Sequence, residues 1–82
     1  MEHKEIESIE PLLNDLKEDT TVPKNVRLKI ERVIGILNGR TDVTIKASKA
    51  LNELEEIADD VNLQSYTRAQ LWNVISALEK IK

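Results

Sequence analysis

The chain has 82 residues, a formal net charge of −3 and no cysteine; it is therefore one small domain that buries only about 60–65% of the surface its unfolded chain exposes, with no disulfide or thiolate chemistry. Leu, Ile, Val and Ala supply nearly all of its 40% hydrophobic content, beside no Phe, one Trp, one Tyr, two Gly and two Pro, a composition that favours helices over sheet. No apolar run approaches the roughly 18 residues of a membrane span, and the acidic first residues lack the basic-then-apolar order of a signal peptide, so neither is expected and the reading is cytoplasmic.

The first helix is predicted over Glu2 to Glu18, with Ile6, Ile9, Leu13 and Leu16 on one stripe and Leu12 at its flank. Pro11 falls inside it, removing one backbone hydrogen bond at a cost of about 3 kcal/mol, so a kink or a frayed first turn is expected. Asp19 to Val22 reads as a loop, and Pro23 as the first residue of helix two, where its missing donor is harmless. Helix two runs to about Asn38 on Val26, Ile30, Val33, Ile34 and Leu37, with Gly39 expected as a left-handed cap.

Asp42 or Thr41 caps helix three, whose stripe of Val43, Ala47, Ala50, Leu51, Leu54, Ile57, Ala58 and Val61 carries it to about Asp60. Helix four is predicted from about Ser65 to Ile81 on Thr67, Leu71, Val74, Ile75, Leu78 and Ile81. Connections this short force neighbouring helices antiparallel. The expected fold is a single all-α domain over residues 1–82, an antiparallel up-and-down four-helix bundle.

The second half echoes the first at a constant offset of 41 residues: Asp19 falls on Asp60, Arg27 on Arg68, Val33 on Val74, Ile34 on Ile75 and Leu37 on Leu78. Conservative matches (Leu16 on Ile57, Val22 on Leu63, Ile30 on Leu71) fill the gaps. Either a helical hairpin was duplicated or two amphipathic helices were simply matched on their cores; both give the same architecture.

VPKNVR at residues 22–27 together with TRAQLWNVISALE at residues 67–79 resembles the paired signature of a family of short, uncharacterised archaeal helical proteins, over most of the chain from Ile9 to Lys80. The resemblance implies a four-helix bundle, and it brings no activity and no site residues with it. The family pattern opens helix four with a proline where this chain has Gln64, which leaves only the start of that helix open. A weaker similarity is to HEAT-type repeats, at Asp19 to Arg27 and Asp42 to Leu54. Because solenoids need about three or more repeats to bury a continuous core, two hairpins closing as a bundle is the better fit.

Nothing in the sequence assembles into a catalytic constellation. His3 is the single histidine, whereas a structural metal site wants about four Cys or His ligands and a di-metal bundle wants Glu-x-x-His pairs on facing helices. The acids Glu53, Glu55, Glu56, Asp59 and Asp60 read as a solvated polar face, the Ser and Thr residues have only a remote His3 as a base, and Gly35 and Gly39 sit at a helix end rather than in a phosphate loop. The expectation is no enzyme, no cofactor and no metal.

Two surface readings remain. At about 100° per residue, Leu28 and Gly35 point away from the stripe of helix two, and Ala69, Trp72 and Ser76 form a second row on helix four, with Leu28 and Gly35 offset by 41 from Ala69 and Ser76. An apolar-plus-small row suggests packing against a protein partner or a second copy, and Trp is a common anchor of binding energy; this is the leading functional reading, against which stand a Trp72 that merely covers a neighbouring helix and an ordinary exposed leucine. The alternative starts from charge. Residues 1–21 hold seven acids and two bases, residues 22–50 seven bases against two acids, and residues 51–82 six acids and three bases. Attraction between antiparallel helices explains that segregation; so would a nucleic acid bound at Lys24, Arg27, Lys29, Arg32, Lys46 and Lys49, although the total charge is acidic and no aromatic ring lies between those bases.

Overall fold

Four apolar stripes of helical period joined by short connections bury one another by lying side by side in alternating directions. The computed structural model describes residues 4–81 and contains α1 (Lys4–Glu18), α2 (Lys24–Leu37), α3 (Val43–Ala58) and α4 (Ser65–Glu79), with no strand among the described residues. Glu2 and His3 lie outside those residues. α1 packs on α2 and α4, α3 packs on α2 and α4, and the backbones of the two diagonal pairs stay apart. The result is an up-and-down bundle 36 Å long and 18 Å across in each other direction, closed rather than drawn out as a solenoid.

The helix limits have local causes. α1 continues through Pro11, which is exposed, so the proline does not end the helix. Pro23 stands one position earlier than expected, as the cap residue of α2 with extended backbone (φ −54°, ψ 144°), an outcome that still spares the helix its missing donor. Asp42 caps α3 by accepting the Thr44 N–H at 2.8 Å. Gln64, where the resemblance led to a proline, caps α4 with extended backbone and no side-chain bond.

Three expectations are corrected. Gly39 is not left-handed: no described glycine has positive φ, and α2 ends instead on Asn38 in helical conformation with the Gly39 N–H bonded to the Ile36 carbonyl at 3.1 Å. Glycine suits the position because a Cβ there would lie 3.2 Å from that same carbonyl oxygen. α3 stops at Ala58 rather than Asp60, which leaves Val61 in the connection and 87% exposed instead of on the core stripe. α4 stops at Glu79, and Ile81 follows in a turn, partly buried against the core.

Every side chain of the core among the described residues is Ala, Val, Leu or Ile except Thr67, which is 3% exposed. Val22 and Leu63 belong to it although they lie in connections. Their loops share one pattern. Asp19 and Asp60 accept the N–H of Thr21 and Asn62 at 2.9 Å on their side chains and accept the N–H of Val22 and Leu63 at 3.1 and 3.2 Å on their carbonyls. These turns carry an apolar side chain back into the bundle just before each following helix begins.

Candidate functional site

Two arginines, Arg27 and Arg68, stand one turn into α2 and α4. Arg27 Nε donates to the Val22 carbonyl at 3.1 Å. Arg68 Nε donates to the Ala58 carbonyl at 3.1 Å and its Nη2 to the Asp60 carbonyl at 2.8 Å. Each guanidinium thus braces the connection leading into its own helix, and the second satisfies a carbonyl that the C-terminal end of α3 leaves without an intrahelical donor. Hydrogen bonds from the Thr21 hydroxyl (2.7 Å) and backbone N–H hold the Asp19 carboxyl below its ordinary range, with the nearby Arg27 charge acting in the same direction.

Arg68 reaching to the end of α3 also fixes the rotation of α4. At about 100° per residue, Trp72 lies on the α3 side of the outer face of α4, while Ala69 and Ser76 point more directly outward. All three are exposed, Trp72 by 48%. On α2, Leu28 is 56% exposed and Gly35 is exposed, and a Cβ at Gly35 would meet nothing within 4 Å. Neither residue is asked for by packing inside the monomer. The two rows do not come together, because α2 and α4 are diagonal in the bundle and their outer faces look in opposite directions.

The model of the uncharacterised protein family UPF0147 matches residues 1–81. The chain belongs to the UPF0147 family. Similar UPF0147 proteins include one from Pyrococcus horikoshii, 38% identical over 81 residues that span 93% of this chain and 87% of the relative. Another, from Methanocaldococcus jannaschii, is 33% identical over 72 residues, 87% of this chain and 77% of the relative. Among solved structures, the crystal structure of a protein of unknown function, MMP1188, is similar with a TM-score of 0.88 and 33% identity, covering 95% of this chain and 90% of that one. The archaeal family and the four-helix fold are those the sequence signature implied.

In the UPF0147 bundle the basic segment is not gathered into one patch. α2 and α3 run antiparallel, so Lys24 and Arg27 lie at one end of the pair and Lys46 and Lys49 at the other. Arg27 is committed to Val22, and Lys46 Nζ donates to the Gly39 carbonyl at 3.2 Å. Arg32 pairs with Glu53 of α3 at 3.8 Å, an interaction worth little at an exposed site. Lys24 and Lys49 are exposed and Lys29 is half-buried.

The acids are likewise accounted for singly. Glu55, Glu56 and Asp59 are exposed, Glu53 and Asp60 half-buried, and Asp60 is occupied by the Asn62 N–H. No group of three or more His, Cys, Asp or Glu among the described residues is placed to hold a metal ion. No described helix is long and apolar enough to cross a membrane. Sequence reasoning missed Val22, Leu63 and the arginine braces, although the 41-residue echo already aligned Val22 with Leu63 and Arg27 with Arg68.

Proposed function

We propose that this UPF0147 protein is a non-catalytic interaction module, a small cytoplasmic bundle that docks onto another protein or onto itself through outer helix faces. The observation that carries the reading is that Leu28 and Trp72 stand on outer helix faces with about half of their surface exposed. Among the described residues the core has no ionisable group with which to move a proton, and a cysteine-free chain suits a reducing compartment.

We also read the two hairpins as related copies, supported by the shared turn at Asp19 and Asp60 and by arginines at the matched positions 27 and 68, which bond different carbonyls of the connection before their helix. Superposition of residues 1–40 on residues 42–82 through an approximate twofold tests it.

The functional reading is tested by sedimentation of the wild type beside Leu28→Glu and Trp72→Ala, with capture of partners from a host extract on the same variants. Loss of a captured protein, or of a self-associated form, by a variant that remains folded is the expected result. If both variants stay folded, sediment like wild type and keep every partner, the reading is wrong.

A further inference from the structure

Trp72 stands in a distinctive chemical setting. On α4 its outward neighbours at helical spacing are Ser65, Ala69, Ser76 and Glu79; on the side of α3 that turns toward α4 are Ser48, Glu55 and Asp59, all exposed. The orientation of α3 follows from two anchors: Lys46 bonded to Gly39 and Glu53 paired with Arg32 both point toward α2, which places Glu55 and Asp59 on the opposite flank. The face made by α3 and α4 is therefore one indole among small side chains, with three carboxylates around it.

Its acids outnumber its bases. Arg68, four residues before Trp72, keeps its charge but is tethered to the Ala58 and Asp60 carbonyls; Lys80 lies at the outer edge beside Ala69, about 80° round from Trp72 on the side away from α3, and Lys49 lies about 100° from Ser48, toward α2. Small neighbours leave the indole open to a bulky side chain, and unpaired carboxylates repel phosphate while favouring ammonium and guanidinium groups.

We propose that the α3–α4 face is the docking surface for a cationic amphipathic segment of a partner protein, with Trp72 as the apolar anchor and Glu55, Asp59 and Glu79 as its counter-charges. This rests on the reading of the protein as an interaction module and adds the face and the chemistry of the partner. A second copy is a poorer occupant. The complementary basic face, with Lys24, Leu28 and Arg32 on α2, lies on the diagonally opposite side of the same molecule, so copies joined that way would make a head-to-tail contact that does not close and would grow as chains.

Trp72 is the single tryptophan, so its fluorescence reports directly on this face. The protein is titrated with a synthetic Leu/Lys amphipathic helix of about 14 residues, matched in length to one helix of the bundle at about 1.5 Å per residue, and with the Leu/Glu peptide of the same pattern, each at low and high salt. A saturable blue shift with the Leu/Lys peptide, weakened roughly tenfold or more by salt, and no shift with the Leu/Glu peptide, is expected. The double variant Glu55→Lys with Glu79→Lys should lose roughly tenfold or more in affinity, whereas Glu7→Lys with Asp15→Lys on α1, the same change in total charge, should lose less than about threefold.

Three results would each overturn the proposal: no shift, equal weakening by both double variants, or a blue shift and faster sedimentation produced by raising the concentration of the protein alone. A failure here with a partner still captured and lost on Leu28→Glu leaves the broader reading standing and removes this face and chemistry.

Discussion

Gly35 costs the monomer stability for no internal return, and replacing it measures that. The residue lies near the C-terminal end of α2, is exposed, has ordinary helical backbone, and an added Cβ would meet nothing within 4 Å. Gly35→Ala therefore adds no clash and removes backbone freedom from the unfolded chain. The full helix-interior difference is about 1 kcal/mol, and proximity to the helix end trims it to about 0.5–1 kcal/mol. For a domain of this size that is about 2–8 °C in Tm, or a rise of about 0.2–1 M in the urea midpoint with unchanged slope. Urea titration followed by circular dichroism at two protein concentrations reads it. A loss of stability would refute the reasoning, and a loss that grows with protein concentration would show that a second copy occupies the space beside Gly35.

Four further outcomes are expected. Arg68→Met keeps the side-chain stem and removes both bonds to the Ala58 and Asp60 carbonyls, so chemical denaturation should show a loss of about 1.5–3 kcal/mol, larger than for Arg27→Met, which removes one. Thr67 is buried where the first half carries Val26; Thr67→Val should gain up to about 1 kcal/mol in the same assay, and a clear loss would mean that its hydroxyl is needed. The Asp19 pKa is depressed by its bonds to Thr21, so its contribution is complete above the ordinary carboxylate range and disappears as pH falls through the lowered value. Between neutral pH and strong acid, wild type should therefore lose more stability than Asp19→Asn, as read by urea midpoints at a series of pH values. Gel-shift titration with single-stranded and duplex probes at low salt should give no salt-dependent binding, since the bases of the segment are spread along two helices of a chain whose net charge is −3.

Helix number, order and direction were legible because the apolar residues at period 3.6 have only one way to be buried in a chain this short. Ile6, Ile9, Leu13 and Leu16 in α1 and Leu71, Val74, Ile75 and Leu78 in α4 are all in the core. Legibility failed where periodicity stops. Val61 continues the spacing of α3, yet the turn at Asp60 ends the helix first and turns the valine to solvent; Val22 and Leu63 break no pattern but are carried inward by turn geometry that spacing does not encode. Gly39 was read by residue type, whereas the cap was decided by an N–H that could reach Ile36 without leaving helical space. For the candidate site, outward pointing was readable from helix angles alone. That Leu28 and Trp72 end up on opposite sides follows from which helices are neighbours, a property of the closed bundle and of no single helix.

That closure has a topological consequence. The helices form a ring in which each touches the next and the last touches the first, so three of the four interfaces join segments adjacent in sequence and can form as each hairpin or corner forms. The fourth, α1 on α4, alone spans nearly the whole chain, and its loop-closure entropy grows only as the logarithm of loop length. A chain of this kind has low contact order and belongs with the helical bundles that fold in microseconds to milliseconds. The ring also has no privileged opening: the start of α1 and the end of α4 lie side by side at the end of the bundle that carries the α2–α3 connection. Moving the break from one of these corners to the other would preserve every helix-to-helix interface and exchange only the order in which the hairpins are made.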